Sequence, residues 1–339
     1  MVETLTGRDR PMPTLEDVAR LAGVSRATVS RVVNGGHLVA ASTVTTVTTA
    51  IGELGYRPNR AARALVTKRV GAVAVVAPEA DERVFSDPFF PLAYHGALAA
   101  FSEVDVQVLL AMAQPGDHAE RMVRYLESGH LDGAIVVSSH GPQLARHLQQ
   151  VAYPVVFVGD PGVPGLPFAE LDQYDAALQA TRHLIGRGCR RLGTITGPTD
   201  MSAGSERLRG FQAAMGEAGL TPVGIATGDF TIASGELAAA ELLAADPQMD
   251  GMFIASDLMA VGAMRVLHRA GIRVPDQVKV VGFDNFSAAL ETDPPLTTMT
   301  NPASELTRIA GLMLLELLSG ITPEYPVILT SELVLRGSA

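Results

Sequence analysis

From Arg69 onward the chain alternates short, uninterrupted apolar runs with longer mixed segments. The runs at 72–77, 106–111, 134–137 and 155–158 lack the polar alternation of a half-solvated strand. They predict strands buried on both faces, and the spacers between them suit helices. A second series follows at 192–196, 223–227, 252–255 and 278–283, again with helical spacers. Strand–helix alternation of this kind builds a parallel α/β sheet. Two series predict two lobes with a cleft between them, and ligands of open α/β sheets sit outside the carboxyl ends of the strands.

The first 69 residues follow a different pattern. Thr14 and Asp17 have the spacing of a capping box, and Leu15, Val18, Ala19, Leu21 and Ala22 recur at helical spacing. Gly23 ends that helix. Ser25 is placed to cap a second, in which Val29, Val32 and Val33 face inward and Arg26, Thr28, Ser30 and Arg31 outward. Two short helices joined by Ala22-Gly23-Val24 make a helix-turn-helix, whose second helix meets base edges with its N-terminal residues. Gly23-Val24-Ser25-Arg26-Ala27 imitates a hydrolase nucleophile elbow, but that motif follows a buried strand, whereas a helix precedes it here.

Charge sharpens the division. Residues 1–69 hold ten Lys/Arg against five Asp/Glu, a net +5, while the remaining 270 carry −15, giving the total of −10. A basic head on an acidic body points to a polyanion as the partner of the head. With 47% hydrophobic and 18% charged residues the chain is globular. A single cysteine, Cys189, allows no internal disulfide framework. Neither a secretory h-region nor a membrane-length apolar stretch is seen, so a cytoplasmic protein is expected.

The run LEDVARLAGVSRATVSRVVN followed by GYRPNRAARAL closely resembles the DNA-binding headpiece of the lactose/galactose repressor (LacI/GalR) family. GPTDMSAGSERLRGF, MDGMFIASDLMAVGAM, VPDQVKVVGFDN and PPLTTMTNP resemble the same family's effector-binding core. The resemblance implies an all-α helix-turn-helix headpiece over 1–57 and a hinge helix or linker over 58–69. The α/β core has two periplasmic-binding-protein-like (type I) subdomains with parallel sheets, 70–162 with 296–324 and 163–295 with 325–339. Crossings between them are expected near 160–165, 290–296 and 322–328.

By this resemblance Arg26, Ala27 and Arg31 occupy base-reading positions. Thr14, Ser25, Thr28, Ser30, Asn34, Tyr56 and Asn59 hold backbone or supporting ones, and Leu65 is the minor-groove lever, an apolar wedge between base steps. The effector pocket maps onto Phe89, Phe90, Asp172, Met201, Ala203, Arg207, Phe230, Ser256, Asp257 and Asp284. Ser256 and Asp257 sit at a helix start, where Asp257 has a capping role as its alternative. Acceptors, an arginine fork and phenylalanine faces suit a sugar-like effector. Met201 stands where some relatives hold an anion-binding arginine, and Gly159 replaces a common aspartate, leaving Asp160 as a substitute.

The third helix also departs from the family. Thr43 through Thr49 are seven consecutive β-branched residues, which read as a strand by propensity. At up to ~0.7 kcal/mol each relative to Ala, they disfavour the helix by roughly 4 to 5 kcal/mol.

Catalytic chemistry is not expected. Neither Lys68 nor Lys279 follows a glycine, and Gly186-Arg187-Gly188 lacks the third glycine of a dinucleotide fingerprint. The eight histidines form no i, i+4 pair, so neither metal nor cofactor is expected. The acidic run Glu79, Asp81 and Glu82 reads as a solvated loop. The expectation is a dimeric, effector-controlled transcriptional repressor on a pseudo-palindromic, double-stranded operator, without membrane association. The absence of a heptad tail favours a dimer over a tetramer. Two alternatives are a core answering to a protein partner and a sugar-binding transport protein.

Overall fold

The computed structural model describes residues 13–33, 39–56, 69–112 and 118–339. They fall into two compact units divided between Val70 and Gly71. Asn34, Asn59, Leu65 and nearly all of the expected hinge segment lie outside the described residues.

The first unit holds helices α1 (Leu15–Ala22), α2 (Arg26–Val33) and α3 (Ala41–Leu54). The expected capping box opens α1: Thr14 Oγ1 accepts from the Asp17 amide, and the Asp17 carboxylate accepts from the Thr14 amide at 2.9 Å. Gly23, at φ 64°, closes the helix. Ser25 Oγ then accepts from the Thr28 amide at 3.1 Å and caps α2. Val18, Val29 and Val47, one from each helix, are fully buried and packed with Ala50 and Tyr56. Each such valine contributes about 1.5 to 3 kcal/mol. Leu21 stands exposed, outside this core.

Helix α3 forms in spite of its threonines. Thr45, Thr46 and Thr49 donate their hydroxyls to the carbonyls of Ala41, Ser42 and Thr45 at 2.9 to 3.1 Å. The competing side-chain oxygens are thereby satisfied inside the helix. Ala40 gives its N-terminus no side-chain cap, so the helix rests on the packing of Val47 and Ala50.

In the second unit, β1 (Ala72–Ala77), β2 (Gln107–Met112), β3 (Gly133–Val137), β4 (Val155–Val158), β5 (Phe168–Leu171) and a later strand, Val327–Leu329, form one sheet. A second contains β6 (Leu192–Thr196), β7 (Gly224–Thr227), β8 (Gly251–Ile254), β9 (Lys279–Asp284), β10 (Thr297–Thr300) and the short strand Leu333–Val334. The Val327–Leu329 and Leu333–Val334 strands are β11 and β12. The sheet orders are β11-β5-β4-β3-β1-β2 and β12-β10-β9-β8-β6-β7, parallel throughout except for the β10–β12 pair. Each apolar run of the sequence coincides with a strand to within one residue. The expectation of burial on both faces fails at β2, an edge strand with Leu109, Leu110 and Met112 about 40% exposed.

Sheet membership also moves the crossings. The chain passes to the second sheet after Leu171, returns after Thr300, and crosses finally after Leu329, in each case beyond the expected position. Strands β5 and β10, FAEL and TTMT, lack continuous apolar runs and carry the first two crossings further along the chain. Helix α12 (Ala303–Leu318) packs on α5 (Phe89–Ala100) and the first sheet. The intervening helices are α4 (Asp81–Ser86), α6 (His118–Glu127), α7 (Gln143–Gln150), α8 (Gln173–Gly186), α9 (Ser202–Glu217), α10 (Ile232–Ala245) and α11 (Asp257–Arg269).

In both sheets the strand order reverses beside the first strand, between β1 and β3 and between β6 and β8. The loops leaving these strands face a common cleft, the place where doubly wound sheets bind ligands.

Candidate functional site

The cleft between the subdomains holds a cavity of about 80 Å³ and is open to solvent. Arg207, from α9, anchors its floor. Its guanidinium is 4% exposed, donates from Nε to Gln173 Oε1 at 2.8 Å and to the Ala255 carbonyl, and lies 3.6 Å from the Phe283 ring centroid. Asp284 Oδ1 stands 3.6 Å from Arg207 and accepts from Asn301 Nδ2 at 2.9 Å. Burial raises the Asp284 carboxyl to about 7, against the lowering influence of Arg207 and Asn301.

Phe230 and Phe89 supply apolar walls. A Cβ on Gly197 would lie 2.1 Å from the Phe230 ring, so only glycine lets that ring take its place. Arg83 lies 5.0 Å above the same ring on the cleft side.

Asp87 also lines the cleft; burial raises its carboxyl although it accepts from the Phe89 amide at 2.9 Å. Three buried polar atoms in these walls have no partner: Arg83 Nε, Glu170 Oε1 and Asn301 Oδ1. Orphans of this kind are costly in a finished interior, and here one donor and two acceptors belong to residues that line the cleft.

The cleft mouth is bridged. His140, after β3, holds Glu79 through Nε2 at 2.9 Å and Asp200, after β6, through Nδ1 at 3.0 Å. The Gly141 amide adds a bond to the Asp200 carbonyl at 2.8 Å. Burial alone would raise Glu79, but His140, Arg83 and Ser138 outweigh it and hold its carboxyl below the ordinary range. Conversely the hydrogen bond to Glu79 raises His140, against burial.

Of the expected effector residues, the structure brings together Phe89, Met201, Ala203, Arg207, Phe230 and Asp284 in this cleft. The other four do not line it, although Asp172 lines an adjoining cavity. Phe90 turns into the core behind Phe89, edge-on at 5.3 Å. Asp172 accepts from the Asp175 amide at 2.9 Å and caps α8. Ser256 caps α11 by accepting from the Met259 amide. Asp257 is a 1%-exposed strut, accepting from the Phe286 amide at 2.9 Å and from Thr298 Oγ1 at 2.6 Å. The capping alternative for Asp257 also fails: Ser256 holds the cap, and Asp257 holds the loop after β9.

Sequence reasoning missed Arg83, Asp87, Glu170, Gln173 and Asn301. It also left Glu79 as a solvated acid, whereas the side chain is buried and paired; Asp81 and Glu82 are indeed exposed. The i, i+4 spacing of Glu79 and Arg83 on the approach to a helix was the available signal. Asn301 follows a strand of threonines whose end gave no apolar marker.

In the headpiece, Ser25, Arg26, Ala27 and Arg31 are exposed on α2, with Thr28 and Ser30 half-buried beside them. Arg26 pairs with Glu16 at 3.0 Å across the helix pair, a surface contact worth about 0 to 1 kcal/mol. Thr14 is engaged in its capping box. Tyr56 departs from expectation, being buried in the headpiece core.

A helix-turn-helix unit combined with a two-subdomain cleft core defines a transcriptional regulator rather than an enzyme. Residues 14–59 match the model for bacterial regulatory proteins of the lacI family, and residues 181–339 the periplasmic binding protein-like domain. The chain is 42% identical over 336 residues to the HTH-type transcriptional regulator CelR of Thermobifida fusca, covering 97% of this chain and 99% of that one. The chain belongs to the LacI family.

Among solved structures it resembles a CelR–cellobiose complex at 40% identity and TM-score 0.75, covering 96% of this chain and all of that one. It also resembles the lac repressor dimer bound to operator and the anti-inducer ONPF, at 26% identity and TM-score 0.85, covering 97% and 99%. Among the described residues no helix is long and apolar enough to cross a membrane.

Proposed function

We propose that the protein is a homodimeric, cytoplasmic repressor that binds a pseudo-palindromic operator through α2 and changes its affinity when a sugar enters the cleft. The observation that carries this reading is that residues with orphaned groups, Arg83 Nε, Glu170 Oε1 and Asn301 Oδ1, line one cavity together with Arg207, Asp284 and the phenylalanines. Hydroxyl groups are donors and acceptors at once, and ring C–H faces pack on aromatics, so a neutral polyol satisfies the set. Four lining carboxylates, Asp87, Asp160, Glu170 and Asp284, against two arginines disfavour an anion. The cellobiose bound to the relative is in keeping with a sugar.

Dimer formation is supported by the apolar exposure of Leu92, Leu98, Leu109, Leu110 and Met112 on α5 and β2 of the first subdomain, the kind of surface that marks a protein interface. Two helix-turn-helix units would then read two half-sites, with Arg26 and Arg31 at base edges and the 58–69 segment, Leu65 included, closing on the minor groove. In this reading a headpiece is followed by the hinge segment and then by two subdomains that exchange strands, with the crossings placed after Leu171, Thr300 and Leu329.

Mechanistically, ligand bound to both walls favours one cleft opening over another. Reversing an equilibrium from 1:99 to 99:1 requires ~5.5 kcal/mol of differential affinity. The test is operator binding by fluorescence anisotropy with and without a panel of mono- and disaccharides. A sugar that shifts operator affinity supports the reading. Operator binding indifferent to every sugar, with calorimetry also silent, overturns it.

A further inference from the structure

Two contacts of the cleft mouth meet on one imidazole. His140 Nε2 stands 2.9 Å from Glu79 Oε1, within the first subdomain, and Nδ1 stands 3.0 Å from Asp200 Oδ2, in the loop after β6 of the second. An ionised carboxylate only accepts, and a neutral imidazole carries a single N–H. Both contacts are hydrogen bonds at once only when the ring is an imidazolium. Loss of the proton leaves one carboxylate facing a lone pair.

The surroundings decide which contact is lost. The Glu79 side chain is 8% exposed and also accepts from Ser138 Oγ at 2.5 Å and from Arg83. Ser138 holds that position at φ 58°, a left-handed backbone that a serine adopts at a cost. The Asp200 side chain is 59% exposed, so water can replace His140 there. A neutral ring therefore keeps its N–H on Glu79 and gives up Asp200, the contact that joins the subdomains.

Glu79 and Asp200 meet the ring, with Arg83 acting on Glu79, and Asp87 and Asp229 face Arg83 in turn. The cavity beside Gly141 and Asp200 is lined further by Asp160, Glu170, Asp172 and Glu206 against Arg209. Acids are in excess among these groups, which favours a cation at the ring.

We propose that His140 is a proton-dependent latch between the two subdomains: its imidazolium ties Asp200 to Glu79, and loss of the proton releases Asp200 and the cleft mouth. The hydrogen bond to Glu79 raises the imidazole most, burial opposes it, and Asp200 raises it further. The bridged state therefore keeps its proton to higher pH than the open state, by the contribution of Asp200. The bridge is strongest in acid and weakens as pH rises through the raised value. This goes beyond the sugar reading and stands without it, since neither ligand nor DNA enters the test.

The experiment is deuterium exchange of the full chain from pH 6 to 8.5, followed by mass spectrometry and corrected for the intrinsic pH dependence of exchange. It reads the bridge through the Gly141 amide, which donates to the Asp200 carbonyl at 2.8 Å. The peptide carrying Gly141 is expected to lose about three- to tenfold of its protection over that range, while β3 keeps its own. In Asp200→Asn the amide can accept from the imidazolium or donate to the neutral ring, so protection should hold across the range. Asp200→Ala should show at pH 6 the low protection that the parent reaches at pH 8.5. Protection of the parent that does not change with pH overturns the proposal, and this outcome needs no variant. An equal fall in Asp200→Asn also overturns it, by assigning the titration to another group. So does an Asp200→Ala protein as protected as the parent at pH 6. A variant that also exposes β3 has lost its fold, and the parent's own series then decides.

Discussion

Replacing Asp284 with asparagine should stabilise the ligand-free core while weakening the effector site. The side chain is only 11% exposed, and its carboxyl is raised from an ordinary 3.8 to about 7 by that desolvation, even with Arg207 at 3.6 Å. An acid whose folded pKa lies above its unfolded value costs stability as pH rises. The folded state keeps the proton between about pH 4 and 7 while the unfolded chain gives it up, so the stability falls through that window. At pH 8 the accumulated cost is on the order of 4 kcal/mol.

An asparagine side chain resembles the protonated aspartate in shape and avoids that cost, so Asp284→Asn is expected to melt several degrees above the parent at pH 8 and near it at pH 4.5. Thermal unfolding followed by circular dichroism across pH 4.5 to 8.5 measures both. Loss of a charged acceptor should also weaken the effector by about 1.5 to 3 kcal/mol. A variant that melts below the parent at pH 8, or a parent whose melting point shows no fall between pH 4.5 and 8 attributable to this residue, refutes the reasoning.

Three further outcomes are expected. Arg31→Ala should cost about 1 to 3 kcal/mol on the operator with little change on random DNA, since a base contact carries specificity; equal losses on both in an anisotropy assay would make Arg31 a phosphate contact. Gly197→Ala places a methyl group 2.1 Å from the Phe230 ring, and should cost about 1 to 3 kcal/mol in core stability and displace the cleft wall; an unchanged melting point and sugar affinity would contradict this. Thr45→Ala with Thr46→Ala and Thr49→Ala removes three exposed β-branched residues from α3, and should stabilise the headpiece by roughly 1 to 2 kcal/mol in denaturant unfolding; no gain would show the back-bonded hydroxyls to be more valuable than the lost propensity.

The legible parts of the sequence were those with a strong local signature. Continuous apolar runs located β1, β3, β4 and β8, because a strand covered on both faces needs few polar positions. Thr14, Asp17, Gly23 and Ser25 marked the helix-turn-helix, because capping chemistry depends on neighbours three residues apart. The short strands at the crossings gave no such signal: Phe168–Leu171 alternates, and Thr297–Thr300 is mostly threonine.

The site divided along the same line. Arg207, Phe230 and Asp284 follow apolar strands or recognisable motifs and were found. Glu170 and Asn301 acquire their roles from strands that meet only in the folded sheets. Asp257 is drawn away from the cleft by Thr298 and the Phe286 amide, a tertiary competition that no spacing in its own helix discloses. Helix α3 shows packing of Val47 and Ala50 overriding a propensity for strand.

The most direct measurement is selection of bound sequences from a random DNA pool by the full chain at fixed salt, repeated with each sugar and with Asp284→Asn. The expected result is an enriched inverted repeat whose retention changes with a sugar for the parent and far less for the variant. Failure to enrich any sequence, or an inverted repeat retained identically whatever sugar is present, would contradict control of an operator-binding headpiece from the cleft.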